Sequence, residues 1–121
     1  MYAPIFKVCS QDPGVVALLG AKPTRLYLFA EAPDQPGRPY ATWQTFGGEP
    51  ESYLAHRPDI DSFSLQVDVF ADTAAQVRAV ATAIRNAIEL RATITRWSGE
   101  ERDDPTDLYR ISFDVDWWVN R

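Results

Sequence analysis

Few side chains in this sequence are of kinds that do chemistry, and their spacing limits what that chemistry is. The single histidine, His56, stands beside Arg57 between Pro50 and Pro58. An imidazole titrates near neutrality and can relay protons, but a general base needs a group that orients it, and no strong partner stands out. His56 therefore reads as an exposed loop histidine. Three carboxylates, Asp68, Asp114 and Asp116, fall on alternating positions of strand-like segments. Brought side by side, they would form a cation site or an acid/base pair. Like charges opposed across a sheet destabilise it, however, and Arg25, Arg96 and Arg110 are available to interleave. A solvated or ion-paired face is the expectation. Cys9 is the lone cysteine and lies in an apolar stretch, so it reads as a buried structural thiol, compatible with a reducing cytoplasm.

The spacings that specify nucleotide, zinc or acyl-transfer chemistry are absent: there is no Gly-rich phosphate loop, no CxxC, no HExxH and no GxSxG. No catalytic, cofactor-binding or metal-ligating residue is assigned, and no cofactor is expected. A pocket joining His56 to the carboxylates would revive an enzymatic or small-molecule-binding reading. Bulk charge narrows the field further. With 17 acidic and 12 basic residues the formal net charge is -5, the wrong sign for gripping phosphates. The aromatics Tyr40, Trp43, Trp97, Trp117 and Trp118 would otherwise suggest a base-stacking platform, but such platforms sit in basic grooves. Core and interface packing is the better account of them. No apolar run approaches the ~18 residues of a membrane span, and no charged segment followed by a long apolar run opens the chain, so neither membrane nor export is expected.

These side chains need elements to hold them. At 121 residues, 45% hydrophobic and 24% charged, the chain has the size and composition of one globular domain, 1–121. Ile5, Phe6, Val8, Cys9, Val15, Val16, Leu18 and Leu19 recur at near-helical spacing around Asp12-Pro13, which predicts one broken helix or two short ones, stopped at Gly20. Arg25–Phe29 reads as a first strand and Tyr40–Phe46 as a second, ended by Gly47-Gly48, with a Pro-rich loop between them. Glu49–Pro58 reads as a surface loop. Phe63, Leu65, Val67 and Val69 alternate with polar residues in a third strand. Asp72 or Thr73 then caps a helix whose stripe is Val77, Val80, Ala81, Ile84 and Ile88.

Ala92–Trp97 predicts a fourth strand and Ser98–Asp107 a polar connection. The last strand places Tyr109, Ile111, Phe113, Val115, Trp117 and Val119 on one face. Adjacent Trp117 and Trp118 must then point apart, sending one out of the core, under the N-terminal helix or into a subunit contact. The order α-β-β-β-α-β-β describes an α+β fold: a mainly antiparallel sheet of about five strands, with helices packed on one face.

Taken in order, several segments resemble the bacteriophage tail completion, or tail-to-head joining, family. They are Met1-Tyr2-Ala3-Pro4-Ile5-Phe6 with Val15–Gly20; Pro39–Gln44; Phe63–Ala71; and Asp104–Asp116. The resemblance spans almost the whole chain. Asp107 departs from it, standing where a turn glycine is expected. The resemblance implies a tail-terminator-like fold, no enzymatic activity, and a homohexameric ring that caps the tail tube beside the head. The implied partners are copies of the chain itself, the tail tube protein and the head–tail connector or neck protein, with DNA passing through the ring without specific binding. The implied location is the virion, at the tail–head interface, after assembly in the host cytoplasm. A neck or head-closure component is the alternative. A closed ring needs two different complementary patches per subunit. The candidates are the loops Gly47–Pro58 and Trp97–Asp107, with Glu49, Glu51, Arg57, Trp97, Glu100, Glu101, Arg102 and Trp118 as the interface side chains.

Overall fold

Among the described residues, Asp12 and Thr73 start two of the three helices by the same device. Each is extended, and each offers a side-chain oxygen to a free N–H of the first turn: Asp12 accepts from Val15 at 3.0 Å and Thr73 from Gln76 at 3.1 Å. In the computed structural model, which describes residues 2–50, 60–103 and 105–120, the elements run α1 (Ile5–Ser10), α2 (Pro13–Leu19), β1 (Leu26–Leu28), β2 (Tyr40–Pro50), β3 (Ile60–Ala71), α3 (Ala74–Ile88), β4 (Ala92–Asp103) and β5 (Leu108–Asn120). The N-terminal apolar run is thus two short helices, with Asp12-Pro13 as the break. Gly20 ends the second with φ 82 and ψ 175, a conformation nearly restricted to glycine. A β-carbon there would also lie 2.9 Å from Arg25 Nη1. That guanidinium donates to the carbonyls of Leu18 and Pro39 at 3.1 and 2.8 Å, tying the end of α2 to the start of β2.

The five strands form one sheet in the order β1-β2-β3-β5-β4. Every pairing is antiparallel except β1 with β2, which is parallel. All three helices lie on one face. Val77, Val80, Ala81, Ile84 and Ile88 of α3, with Ile5, Cys9, Val15 and Leu19 of the short helices, are buried against Leu65, Val67 and Val69 of β3 and Ile111, Phe113 and Val115 of β5. Period-two burial in the strands and a stripe on the helix are what two layers around one core require. Trp117 joins this core at 2% exposure, while Trp118 points the other way and is 45% exposed. It does not lie under the N-terminal helices, because those cover the opposite face.

Three boundaries differ from the sequence reading. Gly47-Gly48 does not end β2. The strand absorbs a bulge between Thr45 and Gly47 and continues to Pro50, since glycine is tolerated where a strand kinks. Ser98–Asp103 is not a connection but the second half of β4, carried past two register shifts (Ile94/Arg96 and Trp97/Glu100) that erase its alternation. The reversal into β5 is correspondingly tight, and Asp107 sits in it at φ 58, the left-handed conformation a turn glycine would adopt and aspartate tolerates. Finally, β1 is shorter than Arg25–Phe29, because Ala30 at φ 61 turns the chain away after Phe29 donates its N–H to the Trp43 carbonyl at 2.8 Å.

Candidate functional site

The helix-free face of the sheet brings together the carboxylates singled out from the sequence. Asp68 of β3 lies opposite Ser112 of β5, and its carboxylate accepts from Ser112 Oγ, from Arg110 Nη2 at 3.1 Å and from Gln66 Nε2 at 3.2 Å. Arg110 reaches sideways to Glu101 of β4 at 3.0 Å and lies 6.0 Å from the centroid of Phe70, itself stacked on Tyr40 at 4.9 Å. Asp116 accepts from Ser64 Oγ at 3.0 Å, and Asp114 lies opposite Arg96 in the register of β4 and β5. The carboxylates are spread among donors rather than clustered, and the described residues include no group of three metal-type ligands. Arg110 and Arg96 take the interleaving places; Arg25 instead serves the backbone. His56 lies outside the described residues.

The interface candidates divide between the two faces. Glu49 is in β2, and its side chain, like Glu51 and Arg57, falls outside what is described. Trp97 is on the helix side, stacked on Phe113 at 4.9 Å with 43% of its surface exposed. Glu100 is on the same side, paired with Arg78 of α3, whose hydrogen bond holds its carboxyl below the ordinary range. Arg102 lies over the Tyr109 ring at 4.5 Å and bonds Asp107 at 2.6 Å. Glu101 and Trp118 are on the helix-free side. Glu100, Glu101 and Arg102 are therefore paired within the chain, on a strand rather than a loop. That strand, β4, is one edge of the sheet, and long edge strands with unpaired backbone groups are templates for another chain.

The opposite edge carries a feature that sequence reasoning missed. Beside β1, an apolar cleft of about 470 Å³ is lined by Tyr2, Ala3, Leu28, Phe29, Trp43 and Thr45. Tyr2 is 75% exposed and Phe29 54%. The signal was the aromatic residue just after the first strand, absorbed into the strand because the turn at Ala30 has no glycine or proline to mark it. Elsewhere, burial and then the nearby Asp12 carboxylate push the Cys9 thiol up to about 12, so it is a core thiol. Burial likewise raises the Tyr40 phenol, with Asp103 adding to it and Arg38 opposing.

An open, mostly antiparallel sheet with helices on one face, polar pairs on the other and two edges without a neighbouring strand among the described residues is an α+β fold. The family model described as "Tail completion protein gp17" matches residues 3–120, and the chain belongs to that family. The role this gives it is that of a structural component of a phage tail. Among solved structures, a chain of the "Virion of native gene transfer agent (GTA) particle" is similar in fold, with a TM-score of 0.65 at 16% identity over 97% of this chain and 92% of that one. A search of curated protein sequences returns no significant match. No helix among the described residues is long and apolar enough to cross a membrane.

Proposed function

We propose that this chain is a ring-forming tail terminator: it covers the last ring of tail-tube subunits, ends their polymerisation, and offers its other side to the head connector. Family membership across residues 3–120 carries the reading. The fold supports it in kind, because a heterologous ring requires two different contact surfaces on each copy, and the sheet has two dissimilar edges that are free among the described residues. The activity is geometric: complementary surfaces placed at a fixed rotation.

The helix-free face suits the wall of a channel that DNA must cross without sticking. Ser62, Ser64, Gln66, Ser112, Asp114 and Asp116 line it beside two arginines: Arg110, held by Asp68 and Glu101, and Arg96, which lies opposite Asp114. A polar surface on which a carboxylate stands beside each arginine gives phosphates little to bind. Mixing the purified protein with isolated tail tubes, and separately with DNA-filled heads, tests the assignment. Binding to tubes with arrest of their growth is expected; binding to heads alone would make it a head-closure component instead.

A further inference from the structure

We infer that β4 of one copy docks along the outer edge of β2 of the next, seating Trp97 in the aromatic cleft beside β1; this deepens the ring reading and rests on it. Among the described residues the sheet has two free edges of unequal character. One is β4, a 12-residue strand with no neighbour on its outer side among the described residues. The other is β2 beyond Trp43, where β1 pairs only with Ala41, Thr42 and Trp43 and then turns away at Ala30. Strand addition satisfies backbone groups on both edges, and side-chain fit sets which edges meet.

The side chains at these edges correspond. Trp97 lies opposite Phe113, and Trp43 and Thr45 lie opposite Val67 and Leu65, all of them on the helix side of the sheet. In a sheet continued from one copy into the next, side chains on the same face of adjoining strands stand next to one another. The exposed side of the Trp97 indole then meets the cleft lined by Tyr2, Leu28, Phe29 and Trp43. Charge along the two edges is compatible: Arg96, on the helix-free side of β4 opposite Asp114, and Glu31, two residues after Phe29, are exposed, opposite in sign and in no ion pair among the described residues. The contact joins unlike patches, so it propagates from copy to copy, as a ring requires, rather than closing a two-fold dimer.

Single cysteines test this, because Cys9, the one native cysteine, is buried in the core. Thr95→Cys on β4 and Thr45→Cys on β2 are prepared separately, alone and with isolated tail tubes, and treated with a short thiol–thiol cross-linker. The expected result is a covalent dimer only when the two variants are mixed, and loss of that product in the presence of Trp97→Ala in the β4 partner, whose self-association should be roughly thirtyfold weaker as for a central aromatic anchor. A dimer from the Thr95→Cys variant alone would show like-with-like edge pairing and overturn the inference. A ring-sized mass without the mixed product would overturn it too, while leaving the ring intact. A chain that stays monomeric with and without tubes would remove both.

Discussion

Replacing Asp68 with leucine should cost more alone than together with the loss of Arg110, and the size of that difference follows from the contacts. The carboxylate takes donors from Ser112, Arg110 and Gln66, and it is 17% exposed against 27% for Arg110. Removing it leaves a largely covered guanidinium held only by Glu101 and a serine hydroxyl without its acceptor, a loss of about 2 kcal/mol by the usual cost of breaking a charge-assisted hydrogen bond. Arg110→Met leaves Asp68 with Ser112 and Gln66 and should cost about 1 kcal/mol on the same scale. In the double variant neither charge is stranded, and the total should fall to about 1.5 kcal/mol, a coupling of about 1.5 kcal/mol. Urea unfolding followed by tryptophan fluorescence reads this directly: with a slope of about 2 kcal/mol per molar, Asp68→Leu lowers the midpoint by about 1 M. A single low chain concentration keeps self-association out of the comparison. Additive losses, with a coupling under about 0.5 kcal/mol, would refute the claim that this face is held by a shared ion-pair network.

Four further outcomes are expected. Gly20→Ala should destabilise by about 1–3 kcal/mol, from its glycine-only backbone angles and the Arg25 contact, read as a shift in thermal midpoint. Thr73→Ala should cost about 1 kcal/mol by loss of the α3 cap, and Thr73→Asp should restore it, both measurable by urea unfolding. Folding keeps Cys9 neutral up to about 12, whereas its ordinary value is 9.0. Its contribution is therefore full below about pH 9 and is lost between 9 and 12 at up to about 1.4 kcal/mol per pH unit, as the unfolded thiol ionises first. Cys9→Ala should flatten that decline, and native Cys9 should resist alkylation until urea is added. Finally, Asp114→Lys on the helix-free face should leave assembly intact and slow DNA ejection, measured as the rate of DNA release from intact particles; an unchanged rate would count against that face lining the channel.

Much of the fold was legible because β3, β5 and α3 carry clean periods: most of their buried residues are the ones the alternation and the three-four stripe mark, Leu108 and Ser112 of β5 being buried off that face. The break at Asp12-Pro13 and a cap at Asp72 or Thr73 were legible because side-chain capping is local; the structure uses Asp12 and Thr73. What was not legible depends on partners distant in sequence. The second half of β4 is charged and out of phase because two register shifts break its pattern, and its Glu100 and Glu101 are held there by Arg78 and Arg110 from other elements. The extension of β2 through two glycines rests on β3 across the hairpin. Trp97 and Trp118 were among the interface candidates read from the sequence, and each is exposed by more than two-fifths within the single chain. The cleft opposite is assembled from the N-terminus, β1 and β2, a juxtaposition that no local pattern encodes.

The central claim is that the chain works as a closed ring at the end of a tail tube. Its most direct test is the solution mass by light scattering, taken on the purified protein and again with isolated tail tubes. The expected result is a species of about six times the 13.7 kDa chain mass, alone or bound at the tube end. A chain that remains a monomer in both conditions and never binds tubes would contradict it.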